Sequence, residues 1–446
     1  MSEILALGVS HRTAPLELRE RLALTEGRAA GVLSELTAAL QIHEAAALST
    51  CNRTELYLVA SDSVEAESLA LGMLAREADI RPTELLGRIY SLRGSEAASH
   101  LFSVAAGLDS KIVGEAEIQG QVKRAYELAL VEGATGPILN RLFRGALAAG
   151  KRARSETRIG AGGVSVSSAA VELAQTVFGD LGARAVLLIG AGETAELTAK
   201  ALSVRGAGAV FIANRHYDRA IGLAERFGGE AVRFEELPAR LAAADIALSS
   251  TNSPHHLIER EELELVMERR PERQLLLLDL AVPRDIDPAT REIPGVTVYD
   301  VDGVQEVADR NAAGREAEAE RARSIVHAEL GRFEGWLASL EVVPTIAALR
   351  ERADEIVQRV LAENEGRWES ASERDLERSR EMARSFAGRL LHEPTLRMKR
   401  AAGTEDAYLH ISALRELFAL DVATEPEGES ADVRQLRSSA DGRELS

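Results

Sequence analysis

The chain has 446 residues, of which 46% are hydrophobic and 28% charged, and its formal net charge is −18 at pH 7. That charge disfavours non-specific binding of nucleic acid, and the single cysteine excludes both an intramolecular disulfide and a cysteine-based zinc site. No apolar run approaches the roughly 20 residues that span a bilayer, and the first residues carry no signal-peptide pattern. We therefore expect a cytoplasmic protein without a membrane segment. The length of the chain predicts about two to four domains.

Residues 1–155 are predicted to form an α+β domain that mixes short strands with helices. The apolar run from Ile4 to Val9 predicts a strand, and the stretch from Ala29 to Leu40 has helical spacing. Ser95 is the predicted N-cap of a further helix, and the next helix begins near Glu115.

The single cysteine, Cys51, lies in a polar stretch between two apolar runs, residues 45–48 and 56–59. This pattern predicts two strands joined by a loop, with Cys51 at its tip. Arg53, two residues away, could stabilise a thiolate there and so make Cys51 a nucleophile. The alternative is a small buried hydrophobic side chain, the commonest state of a lone cysteine.

A basic segment follows at 141–158, where six cations are opposed by a single acid, Glu156. It predicts either a local RNA-binding surface or a solvated helix face, and the sequence leaves both open. The cations are Arg141, Arg144, Lys151, Arg152, Arg154 and Arg158.

From about residue 165 to 305, strands alternate with helical patterns, which predicts a parallel sheet with crossover helices. A glycine-rich hinge at 160–163 precedes this domain. The predicted strands are Ala185–Ile189, Ala209–Ala213, Ala231–Arg233, Ile246–Leu248, Leu275–Leu278 and Val296–Tyr299.

The first of these strands runs directly into a glycine-rich turn that opens a helix, Gly190-Ala191-Gly192-Glu193-Thr194-Ala195. In this strand–turn–helix context the pattern is typical of a dinucleotide site. Gly190 allows the tight turn, Gly192 lets the backbone approach a pyrophosphate, and Ala195 is small enough for helix–strand packing. The free N–H groups of the helix N-terminus would bind the anion. A Rossmann-like domain that has lost its ligand is the alternative.

The second strand ends at Asn214 and Arg215, where an NAD site would carry an acidic residue for the ribose. Arg215 instead suits the 2′-phosphate of NADP, unless it is a plain surface residue. After the fourth strand come Ser250 and Thr251, small polar residues at the edge where open α/β sheets bind ligands.

Beyond residue 303 the pattern changes to long helices. Apolar residues from Val326 to Leu340 and from Ile346 to Val360 keep heptad-like spacing, interrupted at Pro344. Such a seam packs on another helix, either within the chain or, as we expect, in a second subunit. From about Thr424 the chain is polar, which predicts a disordered tail.

A thiol nucleophile and a nicotinamide domain in one chain indicate chemistry at the carboxylic-acid oxidation level. A thiolate attacks an activated acyl group, and the resulting thioester accepts hydride far more readily than a carboxylate does. Two other hypotheses stay open. One is a cysteine-dependent semialdehyde dehydrogenase that acts on a free metabolite, and the other is a non-enzymatic NADP-binding scaffold in which Cys51 is merely buried.

The chain resembles the glutamyl-tRNA reductase family from about residue 4 to 420. The resemblance depends on several separate motifs in the same order. They are Gly8 to Pro15, Ser49 to Glu55, Gly107 to Glu115, Gly120 to Lys123, Gly190 to Ala195 and Leu280 to Pro288.

The resemblance implies NADPH-dependent reduction of glutamyl-tRNA(Glu) to glutamate 1-semialdehyde through a thioester on Cys51, the first step of the five-carbon route to 5-aminolevulinate and tetrapyrroles. His100 matches a histidine that the family needs for activity. The residues expected in the substrate pocket are Thr50, Asn52, Arg53, Ser110, Glu115, Ala116, Glu117 and Gln121. Those expected to bind the cofactor, NADPH, are Gly190, Ala191, Gly192, Glu193, Thr194, Ala195, Asn214, Arg215, Ser250 and Thr251. No metal is expected.

The implied fold is a V-shaped homodimer of multidomain α/β chains, joined through the C-terminal helices. The parts are a catalytic, glutamyl-tRNA-binding domain at 1–155, a Rossmann-type NADP domain at 160–305, and a spinal helix with a helical dimerisation domain at 306–420, followed by the tail at 421–446. Family members pass their labile aldehyde to glutamate-1-semialdehyde aminotransferase, so that enzyme is an implied partner.

This sequence departs from the family at Glu115-Ala116-Glu117, where relatives commonly carry Glu-Pro-Gln. The missing proline loosens the start of the helix. A second acid at Glu117 would weaken binding of an anionic glutamate unless one of the two carboxylates points to solvent. Glu115 is therefore the stronger pocket candidate of the three.

Overall fold

In the computed structural model, the structure describes residues 2–160, 165–207, 209–310, 316–364 and 372–420. Residues 2–330 form one compact unit, and the chain from Gly331 onward forms a second. The predicted tail at 421–446, and all of the predicted glycine hinge except Gly160, lie outside the described residues.

The first unit opens with a four-stranded antiparallel sheet built from short apolar runs. Its strands are β1 (Glu3–Ser10), β2 (Ile42–Ser49), β3 (Arg53–Ala60) and β4 (Tyr90–Arg93), in the order β2-β3-β1-β4. The strands β2 and β3 form the predicted hairpin, and their register pairs Ser49 with Thr54 beside the loop. The predicted strand from Ile4 to Val9 is confirmed, with one more residue at each end.

Helices cover this sheet. They are α1 (Leu16–Leu22), α2 (Glu26–Thr37), α3 (Ser63–Glu77), α4 (Gly94–Ala105), α5 (Glu117–Val131) and α6 (Pro137–Glu156). The N-cap prediction for Ser95 is wrong, because Gly94 turns the chain with a φ of +54° directly after β4, and α4 begins there with Arg93 at its N-cap. Helix α5 begins two residues later than predicted, which leaves Glu115 and Ala116 in the preceding turn.

A second sheet of six parallel strands follows. They are β5 (Ala185–Ile189), β6 (Ala209–Ala213), β7 (Glu230–Val232), β8 (Ile246–Ser249), β9 (Leu275–Asp279) and β10 (Val296–Asp300), in the order β10-β9-β8-β5-β6-β7. Counted from β5, this is the strand order of a doubly wound dinucleotide-binding sheet. The six predicted strands are confirmed, with no boundary displaced by more than one residue.

Helices cover both faces of the second sheet. They are α7 (Val166–Phe178), α8 (Glu193–Val204), α9 (Tyr217–Phe227), α10 (Leu237–Ala243), α11 (Arg260–Glu268) and α12 (Val301–Arg310). In β5, Val186 and Leu188 belong to the core on one face, and Leu187 and Ile189 to the core on the other. A strand covered on both faces needs such a continuous apolar run. The strand order reverses between β5 and β8, which is where ligands bind in sheets of this kind.

The C-terminal helices are α13 (Glu316–Asn364), α14 (Glu373–Ala401) and α15 (Glu405–Phe418). Helix α13 continues through Pro344, so the interruption of the apolar spacing there does not end the helix. A proline removes one backbone hydrogen bond, and the turns on either side keep theirs. Among the described residues, the buried apolar side chains of the second unit are Phe333, Val342, Ile346, Leu349, Leu391, Met398, Ala407 and Leu420. Among the helices described, not one combines the length and apolar character required to span a bilayer.

Candidate active site

The loop that carries Cys51 is a tight connection between β2 and β3. The backbone N–H of Thr50 donates to the carbonyl oxygen of Arg53 at 2.8 Å, and the Thr50 hydroxyl accepts the N–H of Asn52 at 3.1 Å. Cys51 lies in this loop, as predicted, but it is partly buried. It packs against an apolar core that includes Leu16 of α1 as well as side chains of the second sheet and its helices. The loop therefore places the one thiol of the chain at a core to which both parts of the first unit contribute.

Arg53 is fully buried, and its guanidinium is occupied by acids. Its Nη1 donates to Oε1 of Glu55 at 2.5 Å, and its Nη2 donates to the carbonyl and carboxylate oxygens of Asp109 at 2.7 and 2.9 Å. The expectation that Arg53 stabilises the Cys51 thiolate is therefore corrected. Two carboxylates neutralise this cation and bind both of its terminal nitrogens, and its buried Nε has no partner among the described residues.

Arg19 of α1 is the cation that lies at the nucleophile loop. Its Nη1 donates to the carbonyl oxygen of Cys51 at 2.5 Å and, more weakly, to Oδ1 of Asn52 at 3.4 Å. Its Nη2 donates to Oδ2 of Asp302 at 2.6 Å. Sequence reasoning missed Arg19, because 32 residues separate it from Cys51 and no local pattern marks it.

The charges around the thiol act in opposite directions. Burial raises the pKa of the Cys51 thiol well above its ordinary value, and the nearby Glu115 and Glu117 raise it further. Arg19 lowers it. In this state the sulfur is held as a thiol, so its reactivity depends on how these neighbours are arranged.

The predicted substrate pocket gathers around the start of α5. Glu115 and Ser110 are buried and hydrogen-bonded through their side chains. Arg154 fixes the turn by donating from Nη1 to the carbonyl oxygen of Glu115 at 3.1 Å. Ala116 is exposed, and Gln121 is partly buried. The structure thus brings Glu115 and Ser110 together and turns Ala116 outward.

Glu117 is buried as well, so neither of the two acids points to solvent. Its side chain is 8% exposed, and within the described residues its Oε1 has no hydrogen-bond partner. Burial, together with the charges of Glu115 and Glu193, raises the pKa of Glu117 to about 8 against the opposing effect of Arg124. Glu117 is thus mainly neutral at pH 7 and can donate a hydrogen bond, as a glutamine side chain does.

His100 belongs to a buried polar cluster centred on Glu55. Its Nε2 lies 2.9 Å from Oε1 of Glu55. That oxygen also accepts hydrogen bonds from Arg53 and Tyr90, and Oε2 of Glu55 accepts one from Tyr57. Burial alone would raise the pKa of Glu55, but Arg53 and His100 outweigh it and hold that pKa well below its ordinary value. The predicted catalytic histidine is therefore linked through one carboxylate to the predicted substrate-binding arginine.

His11 lies beside the nucleophile loop, with its backbone N–H donating to the carbonyl oxygen of Asn52 at 2.8 Å. Burial and the charge of Arg53 lower the pKa of His11 to about 4, so its imidazole is neutral at pH 7. The ring Nδ1 is buried and has no partner in the part of the chain that the structure describes. The sequence marked His11 within a motif but indicated no role for it.

The glycine-rich turn after β5 has the geometry that a bound pyrophosphate requires. Gly190 has a φ of +115°, and a Cβ atom there would lie 2.6 Å from the carbonyl oxygen of Ser250. Gly192 is the N-cap of α8, where a Cβ atom would meet nothing within 4 Å, so the space before the helix N-terminus is open. Ala195 is buried in the core beneath.

The other predicted cofactor residues lie at the same edge of the sheet. Oε2 of Glu193 accepts from Nη1 of Arg124 at 2.7 Å. The side-chain amide of Asn214 donates to the carbonyl oxygen of His216 at 2.9 Å. Arg215 is exposed just beyond β6, with no ion pair to any described residue. Its cation is therefore available to an anionic ligand.

Two buried aspartates hold the loops at this edge of the sheet. Asp279 accepts backbone N–H groups of the loop after β9, and Asp285 holds the loop after β8. Asp285 accepts the Ser249 hydroxyl at 2.7 Å, and it accepts the backbone N–H and hydroxyl of Thr251 at 2.8 and 2.5 Å. Burial and the charge of Asp285 raise the pKa of Asp279 to about 8. The loop that includes Ser250 is thereby fixed at the edge where ligands bind.

The basic segment at 141–158 lies mostly on α6 and is not an array of free cations. Arg152 pairs with Glu156 and Glu329 at 2.7 and 2.6 Å. Arg154 turns inward to the carbonyl oxygens of the pocket. These contacts favour the interpretation as a paired helix face over an RNA-binding surface.

The chain is similar to known proteins along most of its length. Residues 7–157 match the family described as glutamyl-tRNAGlu reductase, N-terminal domain, residues 172–307 match shikimate / quinate 5-dehydrogenase, and residues 321–420 match glutamyl-tRNAGlu reductase, dimerisation domain. The glutamyl-tRNA reductase of Trichlorobacter lovleyi is 41% identical over 97% of this chain and 100% of its own. That of Pelotomaculum thermopropionicum is 42% identical over 94% of each chain. The solved structure of glutamyl-tRNA reductase from Methanopyrus kandleri has a TM-score of 0.50 and 33% identity, covering 94% of this chain and 100% of that chain.

Proposed function

Because the chain belongs to the glutamyl-tRNA reductase family and is therefore an oxidoreductase, we propose that it reduces the glutamyl group of glutamyl-tRNA(Glu) to glutamate 1-semialdehyde with NADPH, through a thioester on Cys51. This reaction opens the five-carbon route to tetrapyrroles. The family and the three-domain layout predicted from the sequence are confirmed. The exact domain boundaries stay predictions.

The observation that carries the proposal is the position of Cys51. The one thiol of the chain packs against an apolar core that the first part of the unit shares with the second sheet, and the strand order of that sheet is that of dinucleotide-binding domains. The part that carries the nucleophile and the part that carries the cofactor edge are therefore packed together. A thioester formed at the loop would lie within the same compact unit as the bound cofactor.

In the proposed acyl step, the Cys51 thiolate attacks the ester carbonyl carbon of the glutamyl group. The C–S bond forms as the C–O bond to the tRNA ribose breaks, and the ribose oxygen leaves with a proton. Residues around the loop and the start of α5 are proposed to hold the glutamyl moiety. They are Thr50, Asn52, Arg53, Ser110, Glu115, Ala116, Glu117 and Gln121.

NADPH, when bound, would supply the hydride that converts the thioester into an aldehyde and frees the thiol. The residues present fit this cofactor, since the open N-terminus of α8 suits a pyrophosphate and the unpaired Arg215 suits a 2′-phosphate. The match to a dehydrogenase family supports a nicotinamide cofactor. The residues proposed to hold NADPH are Gly190, Ala191, Gly192, Glu193, Thr194, Ala195, Asn214, Arg215, Ser250 and Thr251.

His100 is proposed to contribute through Glu55. Because His100 and Arg53 share that carboxylate, removing the imidazole would loosen the arginine that the family resemblance places in the substrate pocket. This gives His100 a positioning role, and the direct catalytic role expected from the sequence stays a prediction.

Replacement of the nucleophile tests the proposal. We expect Cys51→Ser to reduce aldehyde formation from glutamyl-tRNA(Glu) and NADPH by roughly a thousandfold or more, with unchanged NADPH affinity and circular dichroism. If Cys51→Ser formed the aldehyde as fast as wild type, the thioester mechanism would be wrong. Free glutamyl esters serve as the substrate control, because equal turnover with them would favour a semialdehyde dehydrogenase.

The dimerisation-domain match supports a homodimer. We propose that the C-terminal helices make this contact. Because the product aldehyde is labile, we also propose a transient complex with glutamate-1-semialdehyde aminotransferase. A substrate that is a charged tRNA makes the cytoplasm the proposed place of action.

A further inference from the structure

A single buried arginine bridges the nucleophile loop and the last helix of the nucleotide-binding part. Nη1 of Arg19 donates to the carbonyl oxygen of Cys51 at 2.5 Å, and Nη2 donates to Oδ2 of Asp302 at 2.6 Å. Arg19 lies on α1, beside the first sheet, whereas Asp302 lies in the first turn of α12, 283 residues later. One guanidinium therefore binds the nucleophile loop and α12 at the same time.

Asp302 is fixed on its other side by Lys111. The Lys111 Nζ donates to Oδ1 of Asp302 at 3.0 Å and to its carbonyl oxygen at 3.2 Å. Burial would raise the pKa of Asp302, but Arg19 and Lys111 outweigh it and lower that pKa. Its place at a helix N-terminus also favours the ionised form. The carboxylate is thus charged at neutral pH and available to hold Arg19.

Arg19 is only 2% exposed, and its Nε is buried without a partner among the described residues. An unpaired charge in such a place is costly, so the guanidinium needs its carboxylate to stay there. If α12 moved away with Asp302, Arg19 would lose its counter-ion. The bond to the Cys51 carbonyl would then be lost with it.

We propose that Arg19 is a positioning residue for Cys51 and that Asp302 holds Arg19 in place, so that docking of α12 beside the nucleophile loop fixes the thiol for reaction. The inference rests on the proposed function, since it assigns a task to the nucleophile loop. Arg19 acts on the backbone carbonyl of Cys51 and does not touch the reacting carbon.

Holding the Cys51 loop matters because the rate of nucleophilic attack by the thiolate depends strongly on the position and direction of the sulfur. Cys51 lies on a three-residue loop between β2 and β3, which constrains the backbone but leaves the thiol's direction to its contacts. A misplacement of about 1 Å can cost roughly a hundredfold in rate. A bond from a rigid, buried fork to the carbonyl of the nucleophile itself limits that misplacement. Losing the bridge should free the loop, expose the thiol and slow the reaction.

A second ion pair joins the same two parts and provides a matched control. Oε1 of Glu20 accepts hydrogen bonds from the backbone N–H and the side-chain Nε of Arg284, and Oε2 of Glu20 accepts one from the Arg284 Nη2. All three distances are 2.8 Å. These bonds run from α1 to the loop after β9 and do not include residues 50–52. Glu20→Gln therefore weakens a comparable contact without touching the nucleophile loop.

The experiment is a double-mutant cycle on the full-length chain with Arg19→Met, Asp302→Asn, the double variant, and Glu20→Gln. Two quantities are measured: kcat and KM with glutamyl-tRNA(Glu) and NADPH, and the rate at which iodoacetamide alkylates Cys51 without substrate. The chain has one cysteine, so alkylation reports on that thiol alone.

We expect each single variant to lower kcat about tenfold, the value of one charge-assisted hydrogen bond, with KM within twofold of wild type. Alkylation should become roughly tenfold faster, because burial is the largest influence on the thiol and release of the loop removes it. In the Arg19→Met background, Asp302→Asn should have less than a twofold effect on either quantity. Arg19→Lys should behave like Arg19→Met, since an ammonium group lacks the planar fork.

The proposal would be overturned if the effects of Arg19→Met and Asp302→Asn on kcat and on the alkylation rate were fully additive. It would also be overturned if Glu20→Gln changed these two quantities as much as Asp302→Asn does. The two proposals fail separately. If the wild-type protein did not reduce glutamyl-tRNA(Glu), the proposed function would fail, whereas the alkylation cycle, which needs no substrate, would still decide whether Asp302 acts through Arg19.

Discussion

Glu117 shows how the surroundings of a residue can reverse its expected charge. The sequence suggests a second anion in a pocket for glutamate. Burial and the charges of Glu115 and Glu193, however, raise the pKa of Glu117 to about 8, so that its carboxyl group stays protonated at pH 7. No described group bonds to its Oε1. A neutral Glu117 would repel an anionic substrate less than a carboxylate would, so the departure from the family pattern is compatible with glutamate binding.

Glu117→Gln should therefore stabilise the fold, and more so as pH rises. The folded pKa of about 8 lies above the ordinary value of 4.5, so the native state binds more protons between these values and loses stability as pH increases. The gain from the substitution should grow by roughly 1.4 kcal/mol per pH unit between about pH 4.5 and 8. Urea unfolding at pH 5, 6, 7 and 8 measures this gain.

Glu196→Gln is the matched control for that series, because Glu196 is exposed on α8 and paired with Arg226. It should show no comparable rise of stability with pH. If the Glu117→Gln and wild-type stability curves ran parallel, Glu117 would be ionised in the folded protein throughout.

In the turn between β5 and α8, the two glycines of the sequence pattern are needed for different reasons, one for the fold and the other for a ligand. Gly190 is needed by the fold, since its φ is positive and a Cβ atom would collide with the backbone of Ser250. Gly192 has a negative φ of −89° and open space around it. Its lack of a side chain serves no protein contact, which leaves the approach of a ligand as the reason for glycine there.

Gly192→Ala should consequently weaken NADPH binding while sparing the fold. We expect the Kd for NADPH, measured by nicotinamide fluorescence, to rise at least about tenfold, with the free energy of unfolding changed by no more than about 1 kcal/mol, the usual range for an N-cap substitution. Gly222→Ala, inside α9 and also without neighbours within 4 Å, should leave the Kd unchanged. An unaltered Kd in Gly192→Ala would mean that the pyrophosphate does not approach this turn.

In the second unit, the described residues of one chain leave an apolar stripe on α14 uncovered. Met382, Phe386 and Leu390 recur every four residues along α14 and are all largely exposed, with Phe386 at 70%. Exposed apolar side chains of this size aligned on one helix indicate an interface. The dimerisation-domain match makes a second copy of the chain the expected partner.

Phe386→Glu should dissociate the homodimer, because a charge would have to be buried without a counter-ion in the proposed interface. Sedimentation velocity of the full-length protein should show monomer where wild type is dimeric at the same concentration. Val131→Glu, at an equally exposed apolar position on α5, should remain dimeric. A dimeric Phe386→Glu variant would place the interface elsewhere.

Local patterns determined much of this protein. The six strands of the second sheet, the hairpin around Cys51 and the turn from Gly190 to Ala195 were all predictable, because the residues that form each of them are neighbours in the chain. The proposed substrate and cofactor came from the family resemblance, which depends on the same kind of local motif. Helix ends were less predictable, as at Ser95, where the preceding strand and Gly94 decide the start.

Only the tertiary structure decided the charges that act on these elements. Arg53 was the cation nearest to Cys51 in sequence, but Glu55 and Asp109 occupy it, and the loop is held by Arg19. Arg19 in turn depends on a carboxylate 283 residues away. Burial and pairing depend on which distant segments meet, and a pKa or an ion pair follows from that meeting. Local sequence therefore determined which side chains could react, and tertiary contacts decided in which charge state and orientation they are held.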